Sequence, residues 1–113
     1  MSIEKVTFEG GRKLQAGWIS TRKALLAADT YFVGMLLEYN TTNDNLEILS
    51  TGLLAGIYNG EDGRILGAEG TSDVIVAGEI SESGIVDGAG DALALTADQI
   101  EAFRIAGFYM KEV

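Results

Sequence analysis

The chain has 113 residues, 47% of them apolar, and a formal net charge of −9 with no histidine, cysteine or proline. That size makes one domain with a modest core, and the apolar content excludes global disorder. The missing histidine and cysteine exclude Ser-His-Asp and Cys-His sites, thiolate metal sites and disulfides; only carboxylates, lysines and tyrosines remain for chemistry, so the expected protein is not an enzyme.

The charge is divided unevenly along the chain. Residues 1–23 carry Lys5, Arg12, Lys13, Arg22 and Lys23 against Glu4 and Glu9, a net +3. Residues 24–113 carry three basic residues against fifteen acidic ones, a net −12. A body so acidic repels phosphate backbones, which argues against nucleic-acid binding. The excess serves either solubility or a basic partner surface. No apolar run approaches the ~20 residues of a membrane helix. The opening Met1-Ser2-Ile3-Glu4-Lys5 has no apolar signal region, so neither a membrane nor secretion by that route is expected.

Residues 1–23 mix glycine, charge and isolated large apolar groups, with no lasting period of 2 or 3.6, although Lys5-Val6-Thr7-Phe8 has the composition of a short strand. They read as an extended N-terminal arm attached to a domain over 24–113. Phe8, Arg12, Lys13, Trp18, Arg22 and Lys23 are its candidate docking residues, because aromatic anchors and charge carry most interfaces. Trp18, the only tryptophan, either covers a domain edge or anchors the arm to a partner. Lys23 to Ala28 fits one helical turn or the lead-in to a strand.

From Thr30 the alternation is that of a strand, with Tyr31, Val33, Met35, Leu37 and Tyr39 on one face and Phe32, Gly34, Leu36 and Glu38 on the other. Asn40 to Asn45 is a turn of side chains that bond their own backbone, and Leu46 to Ser50 returns as the hairpin partner. Leu53-Leu54-Ala55-Gly56-Ile57-Tyr58, uncharged and bounded by glycine-rich turns, reads as a strand buried on both faces, where the two sides of the fold meet. A short Arg64-Ile65-Leu66 segment and a loop over 67–71 precede a long strand over Ser72 to Ile80. Ser81 to Gly84 turns the chain, Ile85-Val86 continues it briefly, and Asp87 to Asp91 is a loop. Thr96-Ala97-Asp98-Gln99 has the form of a capping box that opens a helix, with Gly107 as its stop. Phe108 to Val113 closes the chain as a strand.

Three motifs carry weak chemical signals. Ser20-Thr21-Arg22-Lys23 matches the Ser-x-x-Lys of penicillin-recognising enzymes but lacks their companion elements. Gly88-Ala89-Gly90 begins like a dinucleotide fingerprint, yet Leu93 stands at the third glycine and no βαβ unit surrounds it. Glu61, Asp62, Glu69 and Asp73 match no calcium-loop spacing and read as solvated turn acids. No metal or cofactor is expected.

From residue 33 onward the order of elements resembles the phage lambda head decoration protein family. The hairpin Met35-Leu36-Leu37-Glu38 … Leu46-Glu47-Ile48-Leu49 is followed by Leu53-Leu54-Ala55-Gly56-Ile57. A polar connection, a long strand over Asp73 to Gly84, a short helix and the closing Ile105-Ala106-Gly107-Phe108-Tyr109-Met110 complete the pattern. The resemblance implies a mainly β, tulip-like small barrel or sandwich with one short helix, working as a homotrimer. It implies a capsid decoration, or cementing, protein that binds the major capsid protein at three-fold sites of an expanded icosahedral head. Such a protein would sit on the outside of the virion, and in the host cytoplasm before assembly. The family's arm is proline-rich, whereas this one has no proline and carries Trp18, so capsid contacts do not transfer residue by residue. Two other readings stay open: a tail or head-completion component, and a small hydrolase built on two carboxylates in a cleft.

Overall fold

The computed structural model describes residues 14–112. The first strand, β1 (Gln15–Leu26), is followed by the short β2 (Asp29–Tyr31), the hairpin β3 (Leu36–Asn40) and β4 (Asn45–Ile48), and β5 (Leu54–Tyr58). Then come β6 (Arg64–Leu66), the long β7 (Gly70–Ser81), a 3-10 turn over Glu82–Gly84, helix α1 (Ala97–Ile105) and β8 (Phe108–Lys111). The domain is mainly β with one α-helix among the described residues.

The main sheet runs β1-β4-β3-β5-β7-β8, and β1 also pairs antiparallel with β7, so five strands close into a small barrel with β8 attached outside the ring. The closure is uneven. β1 and β7 match over most of their length, from Gln15↔Ile80 to Leu26↔Gly70, whereas β1 and β4 share one parallel position, Leu26↔Leu46. The separate β2–β6 pair (Asp29↔Leu66 to Tyr31↔Arg64) lies apart from the main sheet.

Period-two alternation explains why so small a sheet has two apolar faces. Leu36 and Leu37, Ile57 and Tyr58, and Val74 and Ile75 are neighbours in the chain that go to opposite clusters. Leu26, Leu37, Leu46, Tyr58 and Val74, one from each barrel strand, form the interior, with Tyr31, Met35 and Val86 packed among them. Leu36, Leu54, Ile57, Ile75 and Ile80 face outward and are covered by Ile85, Phe103 of α1 and Phe108 of β8. Leu54 and Ile57 share a face despite their odd spacing because an extra residue on β5 lies between the pairs Leu37↔Gly56 and Glu38↔Leu54. The strand expected to join the two sides of the fold does so, with β3 on one edge and β7 on the other. Leu53 is not part of it and is 84% exposed.

The single strand read over Thr30 to Tyr39 is broken. Gly34 takes φ +97°, and a Cβ there would come within 2.0 Å of the Gly84 carbonyl oxygen. The chain turns at Phe32–Met35, with Met35 N–H donating to the Phe32 carbonyl, so β2 and β3 fall in different sheets. The hairpin turn forms as read: Asn40 Oδ1 accepts from the N–H groups of Thr42 (2.9 Å) and Asn43 (3.0 Å). The Lys23–Ala28 ambiguity resolves to strand through Leu26. Both halves of the Thr96–Gln99 capping box are present, and Gly107 closes α1 with φ +101°.

The extended arm over 1–23 is corrected from Gln15 onward, because Gln15–Lys23 belongs to β1 and pairs with β7. The physical reason is legible in the register. The pairing shifts between Gln15 and Ile19 and again between Ser20 and Thr21, and the strand is half-exposed, so its apolar residues show no sustained alternation.

Candidate docking surface

Of the six docking residues read from the sequence, Phe8, Arg12 and Lys13 lie outside the described residues. Trp18, Arg22 and Lys23 share β1. Trp18 is 53% exposed and its ring lies 6.4 Å, centroid to centroid, from that of Tyr109 on β8. The two strands flank β7, so these aromatic rings make one surface patch across it. Gly17 beside Trp18 leaves room for the Glu79 carboxylate, which would collide with a Cβ there. Glu79 in turn lies 3.9 Å from Lys111 Nζ.

Lys23 sits directly across from Asp73 in the β1–β7 register, with Nζ 3.1 Å from the carboxylate. Both side chains are largely exposed, so the pair adds about 0–1 kcal/mol. Arg22 is exposed and enters no ion pair among the described residues. It lines a groove of ≈ 380 Å³ that opens where β1 parts from the β3–β4 hairpin. The other wall is the hairpin tip, Tyr39, Asp44 and Asn45. The floor is Ala24, Leu46, Ala55, Val74 and Val76, the barrel interior reached through its weak closure.

The groove walls are partly braced. The Tyr39 hydroxyl donates to Asp44 Oδ1, which holds the Tyr39 phenol above its ordinary pKa. Asn45 is buried; its Nδ2 donates to Glu69 Oε2 at 2.6 Å, while its Oδ1 has no hydrogen-bond partner among the described residues. A buried amide oxygen left without a donor costs on the order of 1–3 kcal/mol.

The remaining sequence motifs take structural roles. Ser20-Thr21-Arg22-Lys23 lies in mid-strand rather than at a helix start. Asp87 Oδ1 accepts from the N–H groups of Ala89 and Asp91, which fixes the Gly88–Gly90 loop as a turn. The acids at 61, 62, 69 and 73 go different ways: Asp62 accepts from Val33 N–H, Glu69 from Asn45, and Asp73 faces Lys23. Among the described residues no three acids gather as a metal site would need, and no helix is long and apolar enough to cross a membrane.

Sequence reasoning singled out Trp18, Arg22 and Lys23, but neither Tyr109 beside Trp18 nor the groove. Tyr39, Asp44 and Asn45 read as hairpin and turn, which they are, and nothing local shows that β1 lies beside them. The small residues Ala24 and Ala55 at barrel-lining positions were the available signal. The chain matches no model of a known protein family, and no curated protein matches it.

Proposed function

We propose that the chain is a non-enzymatic viral capsid decoration protein that acts as a homotrimer on three-fold sites of an expanded head. The observation that carries this reading is the order of elements from residue 35 to 111: hairpin, apolar central strand, polar connection, long strand, capped helix and closing strand. That order resembles the phage lambda head decoration proteins, and the mainly β domain is compatible with it. Function would then be mechanical. Each copy adds interface between neighbouring capsid subunits, stable interfaces bury roughly 1,200–2,000 Å² each, and a trimer engages several at once, so modest contacts combine into tight attachment.

The exposed Trp18–Tyr109 patch supports a protein-facing role, since paired aromatic rings on a surface are typical anchors of an interface. The test is to mix the purified protein with undecorated, expanded capsids of its own virus and image them. Density over the three-fold positions is expected, and its absence at saturating protein would overturn the reading. Trp18→Ala should weaken decoration by roughly tenfold or more, the scale of one buried aromatic anchor, measured by co-sedimentation with capsids.

A further inference from the structure

Among the described residues the hydrogen-bonded ring of the barrel is incomplete along one edge. β1 is twelve residues long and gives one edge to β7, yet its other edge meets a strand only at Leu26↔Leu46. From Trp18 to Leu25 that second edge has no strand beside it among the described residues. An uncovered strand edge is a template for another strand, and folded proteins normally blunt theirs. β1 carries Arg22 and Lys23 but no proline, and the groove beside it leads into the apolar barrel interior instead of closing over.

We propose that the Trp18–Leu25 edge is an acceptor for an extended segment of a partner protein, which adds a strand antiparallel to β1. Its inward side chains would be small or medium apolar groups, and an acidic residue would sit opposite Arg22. Four observations converge on that chemistry. The edge presents backbone donors and acceptors that pair with no strand among the described residues; such groups give affinity in strand addition, and the pockets beside them give specificity. The floor of Ala24, Ala55, Val74 and Val76 is small-sided and apolar, so alternate side chains of an incoming strand have somewhere to go. Arg22 is an exposed guanidinium with no ion pair among the described residues, in a chain of net charge −9, so local charge complementarity favours a carboxylate. Asn45, on the facing wall, holds a buried amide oxygen with no donor among the described residues, at the point where an added strand would pass the hairpin tip. Antiparallel addition is favoured because its hydrogen bonds are the better aligned. The inference does not require the partner to be a capsid.

The experiment uses the full chain and a synthetic capped peptide, acetyl-Thr-Val-Glu-Val-Thr-Val-Thr-amide, with two controls. One control is N-methylated at alternate residues, and the other carries Lys in place of Glu. Trp18, the only tryptophan and itself on the edge, reports binding by fluorescence, while amide hydrogen exchange locates it. The parent peptide should slow exchange of alternate β1 amides between Trp18 and Leu25 at about 1 mM, a modest affinity for an unoptimised strand. N-methylation should abolish that protection. Arg22→Glu should weaken the parent peptide about tenfold, the scale of one charge-assisted hydrogen bond, and the Lys peptide should recover the loss. Three results would overturn the proposal. No protection at β1 would remove the acceptor role. Equal binding of the N-methylated peptide would make the groove a site for side chains or small apolar molecules. Protection of the same amides in the free protein, lost on dilution to the single-chain mass in sedimentation, would assign the edge to another copy of the chain. Failure of capsid decoration alone would leave the peptide result standing, so the two readings fail separately.

Discussion

Tyr31 and Tyr58 close the interior end of the barrel as a stacked pair, ring centroids 5.3 Å apart, and each hydroxyl donates to a backbone carbonyl, Ala27 and Glu61 respectively, at 2.6 Å. Burial, then the charges of Asp29 and Glu47, push the Tyr31 phenol up to about 12. The folded chain therefore holds this proton more tightly than the unfolded chain, whose phenol titrates near 10. The resulting stability is complete below the unfolded value and is lost as pH rises from 10 towards 12. Tyr31→Phe removes both the ionisation and the bond to Ala27. It should lower stability near neutral pH by about 1 kcal/mol while losing less than the parent chain across that alkaline window. Urea midpoints measured at steps through the window check both parts. At this scale the sequence was silent about burial and about partners alike. Alternation put Tyr31 on one face of a strand without deciding which face is buried, and its stacking on Tyr58 joins β2 to β5, strands of two separate sheets.

Among the elements, α1 shows how much local chemistry can decide alone. Thr96 and Gln99 satisfy each other's backbone groups, Asp98 sits in the first turn and Arg104 in the last, and Phe103 is the side chain that docks the helix on the sheet. Thr96→Ala should cost about 1 kcal/mol, seen as a lower thermal midpoint and faster exchange of the Asp98 and Gln99 amides, with β1–β7 protection unchanged. The helix was legible because its signals lie within a dozen residues. The β3–β4 hairpin was legible for the same reason. β1 was not, because two register shifts break its alternation and its partner β7 lies some fifty residues away in the chain. Gly34 shows the same limit. Its neighbours alternate without interruption, and only the approach of the Gly84 carbonyl reveals why the strand must break there. The groove followed from the same blind spot, since it exists only where β1 and the hairpin fail to meet.

For the whole molecule, the amount of apolar surface left outside is the feature that bears on assembly. Among the described residues seven large apolar side chains are exposed: Trp18, Leu25, Tyr39, Leu53, Ile65, Ile105 and Tyr109, with Leu53, Ile65 and Ile105 exposed by three quarters or more. Scattered singly they would mean little, but Trp18 and Tyr109 adjoin, and association would cover such a patch. Sedimentation at tens of micromolar, the order of magnitude where an obligate assembly should be complete, is expected to give three times the 12.0 kDa chain mass. A monomer under those conditions would count against the trimer.

The way β7 is flanked also sets how the domain would yield to force. β1 begins beside Ile80 and β8 ends beside Ser81, so both ends of the described chain leave from the same end of one strand, on its two opposite edges. Tension applied between residues 14 and 112 would not slide these strands along β7 but peel them away from it, one rung after another. Peeling loads hydrogen bonds in turn, whereas sliding would load the whole β1–β7 ladder together. The domain should give way gradually when pulled by its ends and resist far better when loaded through the Leu26 end of β1, where the ladder would be in shear.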